Sequence, residues 1–140
     1  MTTAFLVGAA LALGVGIFAT LVGFDRDRAF YPTVLIVIAS IYELFAVIGG
    51  SDSALRAETL AFIGFASVAV IGFRTKLWLV ALGLAAHGLF DFSRGDLIVN
   101  PGVPAWWPMF CLAYDLVAAA YLGWLIARRA NAKTSVPISS

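Results

Sequence analysis

Residues 2–23 run without a single charged side chain. That length is the roughly 20 apolar residues a helix needs to cross the hydrocarbon core of a bilayer. Inside lipid every backbone N–H and C=O must be satisfied within the protein, so such a run is confined to a helix unless it closes into a barrel. It has no positively charged leader and no small-residue cleavage pattern, and it therefore reads as a first span and not as a signal peptide. Four further apolar stretches follow at about 30–50, 54–73, 77–92 and 107–128. With 62% hydrophobic and only 12% charged residues in 140, five spans use up nearly the whole chain and leave no soluble domain. The expected fold class is all-α: an integral membrane bundle of five transmembrane helices, forming one domain over 1–130, with a flexible cytoplasmic tail at 131–140.

The net charge of +1, with no long run of either sign, argues against a nucleic-acid partner. Cys111 is the only cysteine, so there is no internal disulfide and no clustered Cys/His set for structural zinc. It reads as a small buried hydrophobe.

Details within the spans suggest how they pack. Gly8, Ala12, Gly16 and Thr20 recur at every fourth position, a small-residue face that admits a close neighbour and points to homo-oligomerisation as one use. Pro32 falls in the first turn of the second span, where a missing N–H costs little. Thr33, Ser40 and Glu43 share a helix face, which predicts Glu43 inward and Tyr42 pointing elsewhere. Ser53 is the expected N-cap of the third span. The connection Arg74-Thr75-Lys76 is short enough to make spans three and four an antiparallel hairpin. In the long connection at 93–107, Asn100-Pro101-Gly102 predicts a type II turn. Trp106 and Trp107, just before the last span, favour the headgroup layer, so the connection is expected to lie across the mouth of the bundle.

Five spans put the termini on opposite sides. Arg26, Arg28, Arg74, Lys76, Arg128, Arg129 and Lys133 fall on one side, against Arg56 and Arg94 on the other. The positive-inside rule then sets the amino terminus outside and the carboxyl terminus in the cytoplasm of a bacterial cell membrane. At about 1.5 Å per residue, Glu43 lies roughly 10 Å below the outer end of its helix, Glu58 roughly 6 Å and Asp115 roughly 13 Å. His87 and Asp91 approach the outer end of span four. The ionisable side chains thus gather in the outward half, and the cytoplasmic half is expected to be apolar.

The only histidine and an aspartate four residues on, His87 and Asp91, share one face of a helix that has to live in lipid. A central acid costs about 2.5–3.5 kcal/mol on insertion scales, so several such groups must face one another or water. Burial works against charge and pairing works for it, a balance suited to proton transfer. The expected catalytic residues are His87, Asp91, Asp115 and Glu43; Glu58, Arg94, Trp106, Trp107 and Tyr114 are expected to contact substrate. The favoured function is acid–base chemistry on an apolar isoprenoid or lipid, with Gly88 leaving room beside the histidine. The alternatives are proton-coupled transport or relay, which an apolar cytoplasmic half would not complete, and a non-enzymatic membrane partner whose polar groups bind helices together. No metal or cofactor is expected from a single histidine without nearby cysteine, although these acids and the imidazole would also suit a hard or borderline ion such as zinc, manganese or iron.

The run His87-Gly88-Leu89-Phe90-Asp91, with Asn100-Pro101-Gly102-Val103-Pro104, Cys111 and Asp115, resembles small polytopic bacterial membrane proteins of unknown function. The resemblance covers about the C-terminal third and implies no activity. The histidine and acid four residues apart are also similar to those of the emopamil-binding sterol isomerase group, five-helix proteins whose intramembrane site holds a histidine and a glutamate at that spacing. Here the acid is Asp91, and what the likeness implies is an analogy of chemistry.

Overall fold

The computed structural model describes residues 1–134. Among them are five α-helices and no strand: α1 (Thr2–Val22), α2 (Phe30–Ile48), α3 (Asp52–Arg74), α4 (Leu77–Ser93) and α5 (Trp107–Thr134), with a single 3-10 turn at Arg94–Asp96. α1, α2, α3 and α5 are each long and apolar enough to cross a membrane; α4 is equally apolar but only 17 residues long.

Local chemistry sets the ends. α1 stops at Gly23, whose φ of 92° is left-handed and whose N–H returns to the Ala19 carbonyl, a glycine C-cap. α3 starts from Ser51 and not from Ser53: the Ser51 hydroxyl accepts the Ala54 N–H at 3.2 Å, and Asp52 and Arg74 sit at the ends that suit their charge. α5 runs past Arg128 to Thr134, because the Arg129 guanidinium donates to the Asp25 carbonyl at 2.9 Å and holds that turn against the α1–α2 connection. The expected flexible tail is therefore helical at its start, and residues 135–140 lie outside the described residues.

The helices pack as a layered bundle in which α5 lies between α1 and α4, α4 also touches α3 and α2, and α2 lies along α3. Leu35, Val80, Leu84 and Leu122 form the shared core. The small-residue face of α1 is used within the chain: Gly8 lies against the Phe110 carbonyl of α5, and Gly16 lies under the Tyr121 ring. Leu6, Leu21, Ile48, Leu60, Leu82 and Leu89 point outward and are more than half exposed, a surface suited to a lipid solvent.

The connection after α4 does lie across one end of the bundle, but not through a type II turn. A left-handed glycine occurs only at Gly23 and Gly50 among the described residues, and the Val103 N–H returns to Asn100 O across a turn without one. Gly102 serves contact instead. It rests on the end of α2, so close that a Cβ on Gly49 would lie 2.6 Å from the Gly102 nitrogen.

Candidate functional site

α4 carries His87 and Asp91 one turn apart, and α5 brings Asp115 up to them. The helices approach closely because residue 88 is glycine: a Cβ there would stand 2.9 Å from the Asp115 Cβ and 3.3 Å from the Leu112 carbonyl oxygen. The result is one imidazole nitrogen facing two carboxylates. His87 Nδ1 lies 2.7 Å from Asp115 Oδ2, a hydrogen bond, and 3.5 Å from Asp91 Oδ2. The three residues are 2%, 0% and 1% exposed for His87, Asp91 and Asp115. The Phe65 ring meets the imidazole edge to face at 4.7 Å and closes the α3 side.

The two carboxylates are not treated alike. Asp115 has the imidazole. No hydrogen bond of full geometry reaches Asp91; its neighbours are the Tyr42 hydroxyl and the Cys111 thiol, placed to donate to it, and the imidazole at 3.5 Å. An imidazole nitrogen offers one proton, so it cannot serve both acids. Leaving a buried acceptor unmade costs about 1–3 kcal/mol, and more when it is charged.

A second polar layer covers this centre. Arg94 and Glu58, each 2% exposed, form a buried ion pair, and the guanidinium lies 4.0 Å over the Tyr42 ring. Burial lowers the pKa of Arg94 from its ordinary value. Asn100 completes the layer by donating to Glu58 Oε1 at 3.0 Å and to the Tyr42 carbonyl at 3.1 Å. The loop is thereby tied to α2 and α3. Beside it opens a recess of about 270 Å³ lined by Arg94, Ile98, Asn100, Val103 and Pro104.

Of the residues singled out from sequence, His87, Asp91 and Asp115 are brought together. Arg94 and Glu58 form the layer next to them, with Glu58 bound to Arg94 and not to its neighbour Arg56. Glu43 stands apart: it accepts the Thr59 hydroxyl at 2.7 Å, toward α3. The buried face of α2 is Tyr31, Leu35, Ala39, Tyr42 and Ala46, so Tyr42 points inward and Glu43 does not. Trp107 packs on Phe45 and Phe110 at the mouth, with Trp106 half exposed beside it. Tyr114 stacks on Phe110 and lines a different recess, of about 480 Å³, which opens among Gly23, Phe24, Phe30 and Val34. His87, Asp91 and Asp115 line neither recess. Sequence reasoning missed Tyr42 and Asn100; the spacing Leu35, Ala39, Tyr42, Ala46, apolar or small around a tyrosine, was the available signal for the first.

The other half of the bundle is not apolar throughout, as was expected. Asp25 is 3% exposed; it accepts the Thr20 hydroxyl at 2.7 Å and pairs with Arg129 at 3.3 Å, while Thr20 meets the Tyr121 hydroxyl at 3.0 Å. Tyr31 is buried nearby without a partner for its hydroxyl.

Comparison of the chain with protein families, with curated proteins and with solved structures finds no match.

Proposed function

We propose that the chain is a five-span protein of a bacterial cytoplasmic membrane, amino terminus outside, in which His87, Asp91 and Asp115 carry out acid–base chemistry on an apolar substrate of the isoprenoid or lipid class. One observation carries the reading: a buried imidazole nitrogen faces two buried carboxylates, at 2.7 Å and 3.5 Å. Groups needed only to fasten α4 to α5 would be satisfied by one acid. In this reading His87 with Asp115 takes up and returns the proton, and Asp91 balances the charge that develops. The recess beside Arg94 stops at the Arg94–Glu58 layer, which would have to part to admit a substrate to the three side chains. The likeness to the sterol isomerase group supports the substrate class.

The orientation has its own support. Arg28 donates to the Thr75 carbonyl at 2.8 Å and Arg129 reaches Asp25, so the α1–α2 and α3–α4 connections and the end of α5 share one basic end. At the other end Arg94 is consumed by Glu58, which leaves Arg56 as the one basic side chain there without an ion pair among the described residues.

The test is deuterium incorporation from D2O into lipids and isoprenoids co-reconstituted with the purified protein, read by mass spectrometry. Wild type should label one lipid class and His87→Gln should not, both being folded. Absence of labelling across the classes offered would end the proposal.

A second reading, proton relay, is favoured by the polar groups of the opposite half, Asp25, Thr20, Tyr121 and Tyr31, which the expected apolar half would not have provided. Proton flux in liposomes that survives both Asp115→Asn and Asp25→Asn would remove it.

A further inference from the structure

We infer that His87, Asp91 and Asp115 form a binding site for a divalent transition-metal ion of the zinc, manganese or iron type. One ligand atom from each, an imidazole nitrogen and two carboxylate oxygens, lies within 4.8 Å of the others. Metal–ligand bonds of about 2.0–2.2 Å hold neighbouring ligands a little over 3 Å apart. Side-chain rotations that open the 2.7 Å contact between His87 and Asp115 and close the wider spacings, of up to 4.8 Å, by an ångström or more would shape the three around an ion.

Three observations favour an ion over a closed set of hydrogen bonds. The first is the second acid: Asp91 is 0% exposed, no hydrogen bond of full geometry reaches its oxygens, and the remaining members of the set lie within reach. The second is charge. Two buried carboxylates face a single imidazole, and the nearby guanidinium of Arg94 is committed to Glu58; a dication with a neutral imidazole closes that account, which otherwise takes two protons. The third is the outer shell. Metal-bound carboxylates are themselves hydrogen-bonded, and the buried Tyr42 hydroxyl stands beside Asp91 as the donor to do this.

The donor set narrows the ion. One nitrogen with two carboxylate oxygens suits zinc, manganese and iron, and lacks the sulfur that selects Cu(I). Three protein ligands also leave positions for water, the pattern of catalytic sites as opposed to closed structural ones. The inference rests on the proposed reactivity of the same centre and deepens it, since a bound ion would hold and polarise the water that acts as acid and base.

The experiment is metal analysis of untagged, detergent-purified protein by mass spectrometry, followed by loading with Zn(II), Mn(II) or Fe(II) and by the visible absorption of the Co(II) form. Wild type should hold about one ion per chain, with Co(II) bands of a nitrogen–oxygen site. Asp91→Asn, which removes an unpaired buried charge and should fold, and His87→Gln should each lose more affinity than the roughly 10–100-fold typical of outer-shell changes. Asp52→Asn, at the exposed start of α3, should bind as wild type does. Wild type that takes up none of these ions, or binding undiminished in both variants, overturns the site. Protein that takes up none of these ions yet labels lipid with deuterium through His87 overturns the metal site and leaves the acid–base reading standing. One bound ion with no labelling supports the site and sinks that reading.

Discussion

Two clusters of buried polar side chains sit at opposite ends of the same bundle, and they differ in how completely they are satisfied. At the end holding the α1–α2 connection, Asp25 accepts from Thr20 and pairs with an Arg129 that is 42% exposed. Such groups tie α1 to α5 and need no further partner. At the other end His87, Asp91, Asp115, Glu58 and Arg94 are all 2% exposed or less, and two of the five, Asp91 and Arg94, carry polar atoms that no hydrogen bond of full geometry reaches. Burial of acids is common to both ends. What separates the two ends is the second acid beside a single imidazole.

The contrast can be tested by substitution, in thermal unfolding of the detergent-solubilised protein. The largest effect should come from Arg94→Met, which strands Glu58 in the interior and should cost about 3–5 kcal/mol; adding Glu58→Leu should recover most of it. A single-variant cost under about 1 kcal/mol would mean that this end is as wet as the other. Gly88→Ala should cost about 1–3 kcal/mol by forcing α5 away from α4, and it should weaken metal uptake although no ligand is changed. Asp91→Asn is expected to act in the opposite direction, raising stability by about 1 kcal/mol as an unpaired charge disappears. Asp25→Asn should lower stability by a similar amount, and like signs for the two would erase the distinction between the ends. The smallest change belongs to Arg129→Met, under about 1 kcal/mol because half-exposed ion pairs contribute little.

The helices were legible because long apolar runs leave few choices, and their ends fell within a few residues of those read from sequence except at the end of α5. His87, Asp91 and Asp115 were legible for an energetic reason: an ionisable group in lipid has to be explained, and few were present. Partners distant in sequence were not. Glu58 joins Arg94, 36 residues on, where the neighbouring Arg56 offered the simpler pairing. Tyr42 and Glu43 were assigned to each other's faces, because polar spacing was followed where the spacing of small and apolar residues governs packing. Gly102 resembled a turn residue in a Pro-Gly pair, yet its use is to let a loop rest on the end of a helix. That contact belongs to tertiary structure and leaves no mark in the local sequence.

α4, at 17 residues, is about 26 Å long, while the hydrocarbon layer it would cross is about 30 Å thick. A segment that stops short obliges the host layer to thin around it, or headgroups and water to sag toward its end. His87 lies six residues, about 9 Å, from that end. The hydration of the Arg94–Glu58 layer beyond that end would thus follow acyl-chain length, and membranes of different thickness would change the surroundings of the same side chains without any change in the protein.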